Sequence, residues 1–241
     1  MRKALFNWSG GKDSAMAYYL ILQEKKYEIA SLLTSVNEQT GRISMHGVRK
    51  DLLIKQVYEL GQDLKLLELP EKASMSIYEE RLGEIMHSFE NEGVRYSIFG
   101  DIFLEDLRNY RDKQLQKVNM KGVYPLWKRN TSELAHEFIK LGFKAIVTAV
   151  DAQKLDKSFC GRIIDEAFLN DLPEDVDPCG ENGEFHSFVF DGPVFNNPVK
   201  FTKGDIIYKE YTVNCQDFED KKETPGKKTY VFWFCDLLST N

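Results

Sequence analysis

No stretch of the 241 residues approaches the ~20 consecutive apolar side chains that cross a bilayer, so no membrane association is expected. Basic residues are not in excess either: 32 Lys and Arg stand against 38 Asp and Glu, a formal charge of −6. Gripping a polyanion along a wide surface requires a cationic face, so nucleic acid is not an expected partner; the local basic cluster is Lys221, Lys222, Lys227 and Lys228. Cys160, Cys179, Cys215 and Cys235 form no C-x-x-C pair, which argues against a disulfide scaffold and for reduced thiols. Met1 to Lys3 lead into a strand without the apolar region of a signal peptide, and the expected location is cytoplasmic. The sequence contains no internal repeat and no low-complexity segment. With 42% hydrophobic residues the chain can still bury a core.

The most informative stretch is Ser9-Gly10-Gly11-Lys12-Asp13-Ser14, which follows the apolar run Ala4 to Trp8 and precedes Ala15 to Leu22. A strand enters a turn, two glycines expose backbone N–H groups, and a helix begins with its positive dipole end at the turn. That combination cradles an anion. It is not a Walker A loop, because Phe6 stands where the first glycine belongs and Asp13 follows Lys12 where Ser or Thr would hold magnesium. Nor is it a dinucleotide fingerprint, because Ser14 stands at the position of the third glycine. The plainer alternative is a Ser/Gly turn capping a helix.

Downstream, apolar runs alternate with helical periodicity. Strands are expected at Glu28 to Val36, Leu64 to Leu69, Arg95 to Ile102 and around Gly122 to Trp127. Helices are expected from Asp13 to Lys26, around Leu52 to Leu60, around Ile77 to Phe89 and from Glu105 to Met120. This βα alternation predicts an α/β fold: a doubly wound, Rossmann-like parallel five-stranded sheet spanning residues 1–127. Ligands of such sheets lie at the carboxyl ends of the strands, where the strand order reverses, which brings Thr34, Ser35, Gly100 and Asp101 towards the glycine loop. His46 and Arg49 leave the end of the second strand, where a nucleotide edge, a phosphate or a carboxylate would be met.

Residues 128–241 read as a smaller α+β domain: Thr131 caps a helix, Phe143 to Asp151 is a buried strand, and the tail is β-rich around Val213 and Tyr230 to Phe234, separated by a charged loop from Glu219 to Lys228. Within it, Asp177 to Pro193 concentrates Cys179, Glu181, Asn182, Glu184, His186 and Ser187 in nine residues flanked by flexible glycines. A polar hairpin needs fewer chemical groups than that.

The loop string, with Met45-His46-Gly47-Val48, Gly100-Asp101-Ile102, Tyr124-Pro125-Leu126-Trp127 and Gly180-Glu181-Asn182-Gly183-Glu184-Phe185-His186, resembles the diphthine-ammonia ligase family of the PP-loop (HUP) ATP pyrophosphatases. The resemblance implies an ATP- and Mg2+-dependent amide ligase that adenylates a carboxylate, diphthine on elongation factor 2 or a related acceptor, and transfers ammonia from free ammonium. It also implies roles. Ser9, Gly10, Gly11, Lys12, Asp13 and Ser14, with Ser35, His46, Gly100 and Asp101, would hold ATP and pyrophosphate, and Asp13 would hold Mg2+. Arg49, Glu181, Asn182, Glu184 and His186 would face the acceptor, with Lys12, Asp13, Glu184 and His186 catalytic, Glu184 favoured over Glu181, and His186 titrating in the useful range. Competing readings are a sulfur-transferring ATP pyrophosphatase acting on tRNA through Cys160 or Cys179, and a non-catalytic ATP or AMP sensor.

Overall fold

The computed structural model describes residues 1–44, 46–214 and 227–240. Met45, Cys215 and the charged segment 219–226, with Lys221 and Lys222, lie outside the described residues.

The first half contains β1 (Arg2–Asn7), α1 (Lys12–Glu24), β2 (Tyr27–Asn37), β3 (Arg42–Ile43), α2 (Lys50–Leu60), β4 (Leu64–Leu69), α3 (Met75–Asn91), β5 (Tyr96–Ile98), α4 (Glu105–Gln116) and β6 (Lys121–Val123). Five strands run parallel in the order β4-β2-β1-β5-β6, with β3 added antiparallel to the end of β2. After β1 the chain builds one side of the sheet and then returns to build the other. The switch point therefore falls between β1 and β5, at the carboxyl end of β1, where α1 begins.

Leu5, Leu33, Leu67, Met86, Phe89 and Leu115 fill one face of this sheet. Ala4, Phe6 and Leu32 face the other way, against Ala15, Tyr18 and Leu53. Helix α1 is buried on almost every side, which is why its sequence is apolar all round and not striped.

The second half contains α5 (Thr131–Lys140), β7 (Lys144–Asp151), a single 3-10 turn, α6 (Glu166–Asp171), β8 (Phe185–Asp191), β9 (Phe201–Asn214) and β10 (Lys227–Ser239). Its four strands are antiparallel in the order β8-β7-β10-β9. Phe138, Phe143, Phe168 and Phe188 continue the core begun by Phe6 and Trp8, so the second sheet packs over the α1 side of the first. That packing lays β8 along the glycine loop: the Val189 N–H donates to the Gly10 carbonyl at 2.9 Å.

Several boundaries differ from the sequence expectation. β5 stops at Ile98 and β6 at Val123, because Gly100 to Phe103 and Tyr124 to Arg129 turn away at the site-bearing end of the sheet. Helix α4 ends at Gln116, short of Met120. The cap of α5 is Asn130, whose side chain accepts the Glu133 N–H at 3.0 Å, while Thr131 is the first helical residue and its hydroxyl donates to Asp177 at 2.7 Å.

Candidate active site

The backbone leaves β1 through Trp8 and turns at Gly10, whose φ of +79° is open to glycine at little cost. No side chain caps α1 from within the loop's own N-cap position. Instead the Lys12 N–H donates to Ser187 Oγ of β8 at 3.1 Å, and the Gly11 N–H donates to Ser9 Oγ at 3.2 Å. Ser9 Oγ lies 3.0 Å from Ser14 Oγ, which donates to the Gly11 carbonyl at 2.8 Å. Lys12 is 3% exposed and its Nζ sits 2.5 Å from Asp13 Oδ1 and 5.8 Å above the Phe185 ring. Burial works against the Lys12 charge, but Asp13, with smaller help from other neighbours including Glu181, outweighs it and the ammonium is held above its ordinary range. The opening of α1 is thus a buried cation beside a carboxylate.

The Asp177 to His186 segment is organised from inside. Asp177 Oδ1 accepts the N–H groups of Cys179 at 2.8 Å and Glu181 at 3.3 Å. Glu184 is buried and accepts the Asp177 N–H at 3.2 Å, the Asn182 N–H at 3.0 Å and the Asn182 side-chain amide at 3.0 Å. Its carboxylate is the loop's internal anchor. Glu181, by contrast, reaches the carboxyl end of β5, accepting the N–H of Ile102 at 2.9 Å and of Phe103 at 3.3 Å. Burial pushes the Glu181 carboxyl up to about 7, opposed by the Ile102 N–H and reinforced by the nearby Asp13 charge. The two carboxyls differ in their commitments: three donors from its own loop occupy Glu184, and Glu181 lies within electrostatic reach of Lys12 and Asp13.

The expectation that His186 titrates in the useful range is corrected. Its ring lies 4.8 Å from that of His46, and burial, with His46 and Lys12 nearby, pushes it down to about 3. Both rings are neutral near pH 7, since burial also lowers His46, whose Nδ1 lies 3.2 Å from the Ser187 carbonyl. His46 lies directly against the loop: a Cβ on Gly11 would sit 2.9 Å from its Cε1.

Gly100 packs on the first turn of α1, where a Cβ would be 3.0 Å from backbone atoms of Asp13 and Ser14. Asp101 pairs with Arg111 of α4; burial raises its carboxyl and Arg111 opposes that rise. Ser35 contributes its carbonyl, which accepts the Ser44 N–H at 3.1 Å. Arg49 is turned elsewhere: its Nε and Nη2 bind Asp236 of β10 at 3.1 and 2.6 Å, joined by Arg42 at 2.8 Å. Its charge is committed to fastening the second sheet to the end of β2.

Gln56 of α2 was missed by sequence reasoning. It is fully buried, donates to the carbonyls of Gly10 at 3.0 Å and Val189 at 2.6 Å, and accepts the Trp8 indole N–H at 3.2 Å. The available signal was an amide inside the apolar stripe Leu52, Leu53, Val57 and Leu60. Cys160 and Cys179 are buried, and burial pushes both thiols up to about 12. Among the described residues, no group of three His, Cys, Asp or Glu side chains could hold a metal ion by itself.

A parallel sheet of this strand order, with the Ser-Gly-Gly-Lys-Asp-Ser loop opening a helix at its switch point, defines an α/β protein of the PP-loop type. The model of the diphthamide synthase N-terminal domain matches residues 1–122, and that of the diphthamide synthase C-terminal domain matches residues 130–220. The chain belongs to the diphthamide synthase family. Diphthine-ammonia ligase of Bos taurus is 28% identical over 123 residues, 49% of this chain and 46% of that protein. The Mus musculus ligase is 30% identical over 123 residues with the same coverage. The match thus spans about half the length of these relatives. A solved structure, described as a predicted subunit of tRNA methyltransferase from Methanocaldococcus jannaschii, aligns over 65% of this chain and 82% of its own, at 19% identity and a TM-score of 0.39.

Proposed function

We propose that this protein is an ATP-dependent amide ligase that forms AMP and pyrophosphate, activates a carboxylate as its acyl adenylate and transfers ammonia to it. The observation that carries the reading is the meeting of two halves of the chain: Glu181 reaches beyond the end of β5, within electrostatic reach of buried Lys12 and its partner Asp13 at the start of α1. In this reading residues 1–127 bind ATP and residues 128–241 supply the acceptor side.

The chemistry follows from that placement. An oxygen of the acceptor carboxylate attacks the α-phosphorus, and the bond to the β-phosphate oxygen breaks. The negative charge that grows on the departing pyrophosphate is met by Lys12 and by the positive end of α1, where the Gly11 and Lys12 N–H groups exchange their Ser9 and Ser187 hydroxyl partners for phosphate oxygens. Mg2+ binds through one or two carboxylates together with substrate phosphates, a demand Asp13 fits as a carboxylate in the first turn of α1 still 33% exposed, and it would neutralise phosphate charge there. Ammonia then attacks the acyl carbon and AMP leaves. Glu181, poised near pH 7, takes the proton that ammonium gives up on becoming a nucleophile. His46 and His186, both neutral, pack against each other, and His46 lies against Gly11 of the loop.

The acceptor in this reading is diphthine on elongation factor 2. A sulfur-transfer reading is disfavoured, because Cys160 and Cys179 are buried thiols rather than thiolates. Pyrophosphate and AMP formation from ATP, Mg2+ and ammonium, with and without the diphthine-bearing factor, tests the proposal. Lys12→Ala should lower turnover by about 100-fold or more, as loss of one charge-stabilising group typically does, with the fold retained by circular dichroism. ATP binding without factor-dependent turnover in the wild-type protein refutes the ligase, and an unaffected Lys12→Ala protein points to a sensor.

A further inference from the structure

The Gly100-Asp101-Ile102 and Tyr124-Pro125-Leu126-Trp127 strings border the same end of the sheet, on the flank of α1 opposite to His46. Helix α4 runs past both and carries two arginines on one face, one turn apart at positions i and i+3. Their situations differ. Arg111 lies 4.4 Å over the Phe99 ring and is spent on Asp101. Arg108 lies 4.7 Å over Tyr124 and 4.4 Å over Trp127, and its nearest carboxylate, Asp112, is 3.7 Å from Nε. Asp112 is already engaged, accepting the Tyr124 hydroxyl at 2.8 Å. Among the described residues the Arg108 guanidinium makes no hydrogen bond, and its side chain is 34% exposed.

The aromatic support is built in. A Cβ on Gly122 would come within 2.4 Å of Asp112 Oδ1 and 2.6 Å of the Tyr124 ring, so only glycine at 122 lets Tyr124 and Asp112 settle under Arg108. A guanidinium held against two rings tilted 58° to each other has lost much of its freedom while keeping its forked donors, the state in which arginine takes a planar carboxylate in two parallel bonds. The chain of contacts from Arg108 to the loop is short: Arg111 is one turn away, Arg111 holds Asp101, and Gly100 packs on the first turn of α1.

We propose that Arg108, held by Tyr124 and Trp127, is a docking point for a carboxylate of the acceptor. The proposal rests on the ligase reading for the identity of the acceptor, and on the geometry alone for the carboxylate. Two measurements separate them. In pyrophosphate release driven by diphthine-bearing elongation factor 2, Arg108→Ala and Arg108→Lys should each raise KM for the factor by about 10-fold or more, the effect of losing a charge-assisted hydrogen bond, with KM for ATP unchanged. Lysine keeps the charge and stem but cannot stack or fork, so a purely structural or long-range charge role predicts rescue by Arg108→Lys; that rescue, or an unchanged KM, overturns the proposal. If the wild-type protein is inactive with the factor, the ligase reading fails, and the carboxylate site is still read by the Arg108 guanidinium 15N resonance, assigned by its loss in Arg108→Lys. A saturable shift on titration with succinate, absent with sodium chloride at equal ionic strength, supports the site. No shift overturns it, and an equal shift with inorganic phosphate overturns its carboxylate specificity.

Discussion

Replacing Gln56 by Leu keeps the side-chain volume nearly constant and removes one amide from a fully buried position. The Trp8 indole N–H then loses the acceptor it has at 3.2 Å, and the Val189 carbonyl loses a donor at 2.6 Å. The Gly10 carbonyl keeps the Val189 N–H at 2.9 Å. Two buried polar groups left without these partners cost ~1–3 kcal/mol each, so the variant should lose roughly 2–6 kcal/mol, a large share of the about 5–15 kcal/mol that holds a typical domain together. Because the same amide sits 2.6 Å from where a Cβ on Gly10 would be, it also sets the shape of the loop, and ATP affinity should fall with stability. Urea unfolding monitored by tryptophan fluorescence gives the first quantity and titration calorimetry with ATP the second. A loss below about 1 kcal/mol, small for a buried hydrogen bond, together with unchanged ATP affinity would refute the assignment of Gln56 as the clamp between loop, α2 and β8.

Two pH dependences follow from the site, with opposite signs. Glu181 is raised from its ordinary 4.5 to about 7, so its contribution to stability is fully present below pH 4.5 and is lost as pH rises through 7. Glu181→Gln, neutral throughout, should gain on the wild-type protein across that window by up to roughly 3 kcal/mol; urea midpoints differing equally at pH 4.5 and pH 8 would contradict this. His186 is lowered from 6.5 to about 3, so its contribution is present above pH 6.5 and is lost as pH falls towards 3. His186→Gln should flatten the acid limb of a melting temperature against pH curve, and an unchanged limb would show that His186 is not what fails there.

The sequence by itself determined the alternation of strands and helices, the parallel sheet and the position of the glycine loop. These are short-range matters: apolar period, strand length, and two glycines before a helix are legible within a dozen residues. β4, expected at Leu64 to Leu69, is found there because an edge strand closed by Pro70 leaves little room for variation. The density of polar groups between Cys179 and Ser187 marked that segment for function, but the sequence could not say which carboxyl faces the cleft. That depends on where the loop folds back on itself, and Glu184 became its anchor while Glu181 was left to reach β5. The charge state of His186 was likewise undecidable, since the burial and the neighbouring Lys12 and His46 that lower it come from other parts of the chain. Arg49, placed by the sequence where a phosphate or carboxylate would be met, is instead paired with Asp236, 187 positions away. Gln56 and Val189 are 133 positions apart. Tertiary structure alone decides such pairs, because local sequence encodes which residues can turn and bury, while the energy of a buried polar group is set by whichever distant partner the fold delivers to it.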